Sequence, residues 1–182
     1  MSPDDLAPLF AARIAHLSPI IDMEAQWPAM RVRVRTYAGE HDCPDALITS
    51  TRAVVFRGRS VVVVRERDGP DHINPGGRRE PGETIEATTR REVLEECGWH
   101  VGPLKLLGFH HLRPLGDKPA GHVYPWRDFI HLIHVAEAVR YDARARDRTQ
   151  IEVGSRLTPI SQALRTLPAQ EVPLLRAAIA AR

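Results

Sequence analysis

Cysteine is scarce in this chain, with only Cys43 and Cys97 among its 182 residues. Two cysteines are too few for a disulfide framework and suit a compartment in which thiols stay reduced. No stretch approaches the roughly 20 consecutive apolar residues of a membrane helix. Residues 1–5 do not resemble the basic, apolar start of a secretion signal. We therefore expect a cytoplasmic protein with no membrane partner.

An excess of one charge sign is also missing. The 25 basic and 23 acidic residues leave a formal net charge of only +2, which argues against nucleic acid as a partner. Internal repeats and low-complexity tracts are absent as well. An apolar content of 43% over 182 residues is enough for one core and leaves little room for a second full domain. We expect a helical extension at residues 1–28 and a main domain at residues 29–182.

The first residues of the chain predict a helix. Ser2 can cap it and Pro3 fits its first turn. An apolar stripe then follows at helical spacing, formed by Leu6, Leu9, Phe10, Ile14 and Leu17. This stripe should cover either a sheet of the same chain or a partner subunit in a homodimer, and the spacing leaves both possibilities open.

Strand patterns occur on both sides of the centre of the chain. In residues 30–35 apolar side chains alternate with arginines, which is typical of a half-buried strand with a solvated basic face. Residues 47–56 and 61–64 predict a hairpin, and the four consecutive valines of its second strand indicate burial on both faces. Residues 104–111 and 129–139 predict two more strands, joined by a connection of roughly 17 residues whose length favours a binding role.

The C-terminal region predicts two helices. Thr158 can cap the first, Pro159 would begin it, and it should reach about Leu167. The second should follow Pro168. Strands, a central helix, further strands and terminal helices together indicate an α+β sandwich around a mixed central sheet, not a βαβ repeat.

The central helix carries the most informative pattern. Thr84 can cap it and Gly98 lies where a left-handed helix terminus favours glycine. Between them Glu92, Glu95 and Glu96 fall at positions i, i+3 and i+4, so their carboxylates share one face within a single turn. Three like charges repel one another, so either a cation lies among them or the face is open to water. Carboxylate oxygens select hard cations such as Mg²⁺ or Mn²⁺.

Three neighbouring residues can support such a site. Arg91 precedes Glu95 by one helical turn, and its guanidinium can hold a carboxylate through paired hydrogen bonds. Glu83 can brace the preceding loop against Arg91. Upstream, Gly77 follows another glycine, so a tight bend can turn a backbone carbonyl toward the carboxylates as a further oxygen ligand. Taken singly, each feature has an ordinary explanation as a solvated helix face or a turn.

Together these residues match the Nudix box. That motif requires Gly, five residues, Glu, seven residues, Arg-Glu, an apolar residue, any residue, Glu-Glu, any residue, Gly and an apolar residue. The matching positions are Gly77, Glu83, Arg91, Glu92, Val93, Glu95, Glu96, Gly98 and Trp99. The chain therefore resembles the Nudix hydrolases, with one departure, because the last position is normally aliphatic rather than tryptophan.

This resemblance implies an α/β/α sandwich in which residues 29–182 form a Nudix hydrolase domain. It also implies a Mg²⁺-dependent enzyme, with Mn²⁺ as a substitute, that cleaves the diphosphate linkage of a nucleoside diphosphate joined to another group. The implied metal ligands are Glu92, Glu95, Glu96 and the carbonyl of Gly77. Arg91 and Glu83 correspond to the orienting pair.

Two features remain open within this resemblance. The general base is either Glu92 or an acid outside the box, for which Glu152 is the candidate, although a solvated loop acid is its plainer interpretation. Pro114 lies 16 residues beyond Gly98, and a proline near that place resembles the family subset that cleaves ADP-ribose. This resemblance weakly favours ADP-ribose as the substrate.

Aromatic residues near Pro114 complete the predicted substrate site. Tyr124 and Trp126 can stack on a nucleobase, although core packing explains them equally well. The alternative function is a Nudix module that senses a nucleotide or binds a protein without turnover. A solvated acidic helix in an unrelated interaction protein is a further alternative, which leaves Gly77 and Arg91 unexplained. The intact box favours the enzyme.

Overall fold

The computed structural model describes residues 1–27, 30–121, 126–147 and 152–182. In chain order its elements are α1 (Pro3–Ile14), β1 (Ile21–Trp27), β2 (Met30–Ala38), a 3-10 turn (Asp45–Leu47), β3 (Ile48–Arg57), β4 (Ser60–Glu66), β5 (Gly76–Arg78), α2 (Ile85–Cys97), β6 (Trp99–Val101), β7 (Lys105–Leu115), β8 (Phe129–Tyr141), β9 (Glu152–Pro159), α3 (Ile160–Thr166) and α4 (Val172–Ala181). The sheet order is β1-β2-β7-β8-β3-β4-β9, with β5 beside β3 and β6 beside β8. β3 and β8 are parallel and the other pairs are antiparallel, so the predicted mixed sheet is confirmed.

Helices cover both faces of this sheet. Successive side chains of a strand point to opposite faces, and in β3 Val54 packs with α4 while Val55 packs with Val93 of α2. In β8 the same alternation places Ile130 against α1 and Ile133 against α4. The result is the predicted α/β/α sandwich. Among the helices of the described residues, none combines the length and the hydropathy needed to cross a membrane.

The N-terminal helix forms as predicted and covers a sheet of its own chain. Ser2 and Asp5 make a reciprocal capping box, in which the Asp5 backbone donates to the Ser2 hydroxyl and the Ser2 backbone donates to the Asp5 carboxylate. Phe10 is buried and its ring centroid lies 5.5 Å from that of Phe109 on β7. Leu9, however, is 57% exposed and does not join the buried stripe. The homodimer and the division at residue 28 stay predictions.

Strand β1 is an element that the sequence interpretation missed. It pairs with β2 along its whole length and belongs to the same sheet as the rest of the chain. Its acids contact the β2 arginines, with Arg33 to Asp22 at 2.8 Å and Arg31 to Glu24 at 2.8 Å. These arginines remain partly solvated, as the sequence predicts, with 62% of the Arg31 side chain and 42% of the Arg33 side chain exposed, and the unpredicted β1 supplies their acidic partners.

The predicted hairpin is confirmed, but the segment after Glu152 differs from its own prediction. β3 and β4 pair directly, and the four valines of β4 are buried. Val61 and Val63 pack in the cluster that includes α4 on one face of the sheet, and Val62 and Val64 pack in the cluster that includes α2 on the other. Thr158 belongs to β9, opposite Val61, and no side-chain hydrogen bond caps α3. The predicted cap at Thr158 was wrong because the strand pairing continues through Pro159, the residue that immediately precedes the helix.

Candidate active site

Helix α2 begins and ends where the sequence predicts. The Thr84 hydroxyl accepts a hydrogen bond of 3.1 Å from the backbone of Ala87. At the other end Gly98 has a φ of 76°, a left-handed conformation that favours glycine, and its N–H donates to the carbonyl of Leu94. Between these caps Val93 and Cys97 pack against the sheet, and the acidic face of the helix contacts the loop that contains Gly76 and Gly77.

Arg91 lies between the acidic side chains of the site. Its Nε is 2.7 Å from Glu83, and its Nη1 is 2.8 Å from Glu92 and 3.0 Å from Glu95. A second guanidinium nitrogen also contacts Glu83, at 2.9 Å, which makes that pair bidentate. Hydrogen bonding to Arg91 lowers the pKa of Glu83 to about 2. The predicted contact between Glu83 and Arg91 is therefore present.

Two of the helix carboxylates are buried. Glu92 is 6% and Glu96 is 5% exposed, whereas Glu95 is partly exposed. Glu96 accepts a hydrogen bond of 2.9 Å from the backbone N–H of Gly76. Burial and, after it, the nearby charge of Glu152 together raise the pKa of Glu96 to about 8. Such a group calls for compensating positive charge, so the donor set fits a divalent cation.

The double glycine lets the loop approach the helix and strand β3 closely. A Cβ on Gly77 would lie 2.3 Å from Oε2 of Glu92. A Cβ on Gly76, whose φ is 152°, would lie 2.1 Å from the carbonyl oxygen of Thr51. The carbonyl of Gly77 accepts a hydrogen bond of 2.5 Å from the Ser50 hydroxyl. The double glycine thus brings the backbone close to Glu92, with β5 running alongside β3, while the role of the Gly77 carbonyl as a metal ligand stays a prediction.

Glu152 does not lie in a solvated loop. It is the first residue of β9, opposite Glu66 of β4, and it is only 7% exposed. The interpretation as a solvated loop acid was wrong, because the unpredicted pairing of β9 with β4 carries the side chain inside. Among the described residues, its Oε2 has no hydrogen-bond partner.

Of the three predicted substrate-binding residues, the structure describes Pro114 and Trp126. Pro114 belongs to β7 opposite Val32, beyond the point where β8 still pairs with β7, so its missing N–H costs no hydrogen bond to β8. Trp126 donates a hydrogen bond of 3.1 Å to the carbonyl of Gly116. Tyr124 lies outside the described residues. The binding roles of all three stay predictions.

A cavity of about 200 Å³ lies on the sheet face that carries α4, and sequence reasoning missed it. Arg52 and Asn74 line it and connect it to the loop before Gly76. The Arg52 guanidinium donates a hydrogen bond of 3.1 Å to the carbonyl of Asn74, and Arg52 pairs with Gly76 in the sheet. The cavity therefore adjoins the loop that contacts the buried carboxylates.

Aromatic rings form one wall of this cavity. Trp27 and His131 lie nearly parallel, with 6.0 Å between ring centroids and 10° between ring planes. His110 also lines the cavity and shares a hydrogen bond of 2.8 Å with Thr36. Burial lowers the pKa of His110 to about 3, so this wall is uncharged at neutral pH. The alternation of apolar and polar residues at 21–27 was the signal that could have placed Trp27 on a strand.

Fold and site together define an acidic loop and helix on an α/β/α sandwich. The family model described as NUDIX domain matches residues 47–178, which is most of the chain. The chain belongs to the Nudix family.

Known proteins extend the comparison. A protein of Bacillus subtilis (strain 168) named "Putative 8-oxo-dGTP diphosphatase" is 31% identical over 65 residues, which cover 36% of this chain and 44% of that protein. The match thus spans less than half the length of that relative.

Solved structures share the fold. The pyrophosphohydrolase BsRppH of Bacillus subtilis, in a mutant form, has a TM-score of 0.56 at 21% identity, covering 81% of this chain and 80% of that one. A NUDIX hydrolase from Nitrosomonas europaea has a TM-score of 0.54 at 23% identity, covering 73% and 86%. A MutT NUDIX hydrolase from Burkholderia pseudomallei has a TM-score of 0.51 at 15% identity, covering 70% and 95%. At these identities the likeness is one of fold.

Proposed function

We propose that this protein is a Mg²⁺-dependent Nudix pyrophosphohydrolase that cleaves the diphosphate linkage of a nucleoside diphosphate joined to another group. The observation that carries the proposal is the cluster of Glu92, Glu95 and Glu96 on one face of α2, with Arg91 among them. The intact Nudix box and the names of the relatives, a diphosphatase and a pyrophosphohydrolase, support it. We place the protein in the cytoplasm, which its two free cysteines support.

The residues of the acidic site suit a magnesium ion. Glu92, Glu95, Glu96 and the carbonyl of Gly77 would supply oxygen ligands, which Mg²⁺ prefers and Mn²⁺ accepts. When bound, the cation neutralises phosphate charge and lowers the pKa of the attacking water. The contribution of Arg91 and Glu83 is to hold the carboxylates in fixed rotamers, because a bidentate guanidinium contact restricts both partners.

Two carboxylates are candidates for accepting the proton of the attacking water. Glu92 is close to Gly77, and its Oε1 already accepts a hydrogen bond from Arg91, which leaves Oε2 available. Glu152 is near enough to Glu96 for its charge to act on that carboxylate, and one of its oxygens has no hydrogen-bond partner among the described residues. A carboxylate in either place can act as a general base once its pKa suits the working pH.

We further propose that the nucleobase enters the cavity beside Trp27. Its volume, about 200 Å³, is below the roughly 300–1,000 Å³ of pockets that enclose a whole drug-sized ligand, so it suits one planar ring system. The Trp27 ring offers a stacking surface, while Arg52, Asn74 and Glu171 offer polar groups for the base edge. The phosphates of such a nucleotide would extend past Asn74 toward Gly76 and the acidic helix.

Replacing Trp27 with Ala tests this placement. We expect the KM for the preferred nucleotide to rise about tenfold or more, because stacking on an aromatic ring contributes about 1–3 kcal/mol per base. We expect kcat to change little, because the acidic site is untouched. Trp126→Ala is the matched control, since Trp126 is the tryptophan for which the sequence leaves stacking and core packing open. A KM increase in Trp126→Ala with none in Trp27→Ala would place the base in the loop at 114–127 instead.

A substrate panel tests the activity itself. The protein would be incubated with Mg²⁺ and ADP-ribose, dinucleoside polyphosphates, nucleotide sugars, nucleoside triphosphates or 8-oxo-dGTP, and the products identified. Pro114 supports including ADP-ribose, and the name of the curated relative supports including 8-oxo-dGTP. We expect cleavage at a phosphoric anhydride bond that stops when Mg²⁺ is chelated. Tight nucleotide binding without products would favour the non-catalytic sensing module instead.

A further inference from the structure

A second cavity, of about 360 Å³, lies on the sheet face that carries α1, and we call it the α1 cavity. Arg35 and Tyr37 of β2 and Arg113 of β7 line it. Thr36, between Arg35 and Tyr37 in β2, instead lines the cavity beside Trp27. Since successive side chains of a strand point to opposite faces, the two cavities lie back to back on the same sheet and are separate sites.

The two arginines of the α1 cavity have donors that the protein leaves unused. Arg113 donates its Nε and Nη2 to Asp128, and Arg35 donates its Nε to Asp22. Within the described part of the chain, no hydrogen bond occupies Nη1 of Arg113 or either terminal nitrogen of Arg35. The hydroxyl of Tyr37 has no hydrogen-bond partner there either, although the residue is only 5% exposed. Donors without acceptors at the wall of a cavity favour a ligand that accepts hydrogen bonds.

The charges on this sheet face favour an anionic ligand. Among the residues that the structure describes, the guanidinium groups of Arg33, Arg35 and Arg113 pair with two carboxylates, those of Asp22 and Asp128. Arg33 and Arg113 are also directly opposite each other on β2 and β7, where like charges are destabilising. One negative charge bound beside the arginines would balance this group.

The rest of the lining favours an apolar group. Ala11 and Ile14 of α1, and Leu17 after it, contribute apolar side chains to the α1 cavity. The carbonyl groups at the C-terminal end of a helix disfavour negative charge, so an anionic head belongs at the arginines and an apolar body beside α1. The volume of the cavity lies within the roughly 300–1,000 Å³ of sites that enclose small molecules.

We propose that the α1 cavity binds a small organic anion, whose carboxylate or phosphate head contacts Arg35 and Arg113 and whose apolar body lies against α1. Guanidinium groups suit both kinds of head, because each presents adjacent oxygens that accept paired hydrogen bonds. The proposed hydrolysis does not require this site, which lies apart from the carboxylates of the Nudix box.

A titration with simple probes tests the site in the full-length protein. Chemical shifts of the ¹⁵N-labelled protein are followed by NMR in EDTA, so that no metal-bound phosphate contributes. Benzoate and phenyl phosphate carry both head and body, whereas inorganic phosphate lacks the body and benzyl alcohol lacks the charge. We expect at least one of the organic anions to bind with a Kd of about 1 mM or tighter, and at least about tenfold tighter than either incomplete probe. The tighter of the two organic anions identifies the preferred head.

Variants of the two arginines locate the binding. Arg35→Gln and Arg113→Gln should each weaken binding of the organic anion at least about tenfold, because hydrogen bonds to charged groups contribute that much. Both variants should fold, since the acid that each arginine contacts keeps another partner, at 2.8 Å for Asp22 and 2.9 Å for Asp128. Circular dichroism of each variant verifies the fold.

Arg31→Gln is the matched control. Arg31 lies on the same face of β2, its side chain is 62% exposed, and it is not among the described residues that line the α1 cavity. We expect this variant to bind the organic anion as the unmodified protein does. Absence of binding by both organic anions, unchanged binding in both cavity variants, an equal loss in Arg31→Gln, or equally tight binding of inorganic phosphate would each overturn the proposal. Because no turnover is measured, the result is independent of the proposed hydrolysis.

Discussion

Replacing Glu96 with Gln is expected to lower kcat by at least about a thousandfold in the presence of Mg²⁺. A loss of that size corresponds to about 4 kcal/mol of transition-state stabilisation, which is what a bound metal ion can contribute. Gln retains the shape of Glu96 and can still accept the hydrogen bond from Gly76. The substitution therefore removes a negative charge from the cation site and little else.

The measurement is kcat at saturating substrate across a Mg²⁺ titration. Glu86→Gln is the matched control, because Glu86 lies on the same helix, its side chain is 64% exposed, and its ion pair with Arg90 faces solvent. We expect that control to keep its activity, since exposed pairs contribute little. Chemical denaturation should give Glu96→Gln a free energy of unfolding no lower than that of the unmodified protein, because a neutral amide is cheaper to bury than a carboxylate. Full activity in Glu96→Gln would refute the metal assignment.

The elements that could be predicted from the sequence are those whose causes are local. Thr84 and Gly98 delimit α2 because capping depends only on neighbouring backbone groups. Four consecutive valines were enough to predict that β4 is buried on both faces. The Nudix box could be recognised because its ligands and Arg91 lie within 23 consecutive positions on one loop and helix.

The remaining elements, β9 and the cavity among them, depend on contacts between distant parts of the chain, which no local pattern predicts. β9 is a strand because it lies beside β4, and only that pairing buries Glu152 next to Glu66. The cavity takes Trp27 from β1, Arg52 from β3 and Glu171 from the turn before α4. Residues so far apart in the chain share no spacing, so the sequence could not bring them together, and the stacking roles of Tyr124 and Trp126 stay predictions.

Replacing Arg91 with Ala is expected to reduce both stability and activity, because one guanidinium compensates three carboxylates. Its side chain is only 25% exposed, and Glu92 beside it is buried more deeply. Removing one partner of a fully buried ion pair costs about 3–5 kcal/mol. The partial exposure of Arg91 and Glu95 reduces that cost, so we expect about 2 kcal/mol from urea unfolding without metal. Since loosened carboxylates no longer share one geometry, kcat should fall about a hundredfold.

Arg91→Lys separates charge from geometry at the same position. A lysine ammonium restores one positive charge but cannot make the paired contacts that Arg91 makes with Glu83 while also reaching Glu92 and Glu95. We therefore expect Arg91→Lys to recover most of the free energy of unfolding and little of kcat. Added Mg²⁺ should stabilise Arg91→Ala more than the unmodified protein, because the cation then neutralises charges that Arg91 no longer balances. If the lysine variant instead recovered full kcat, charge alone would suffice and the orienting role of Arg91 would be wrong.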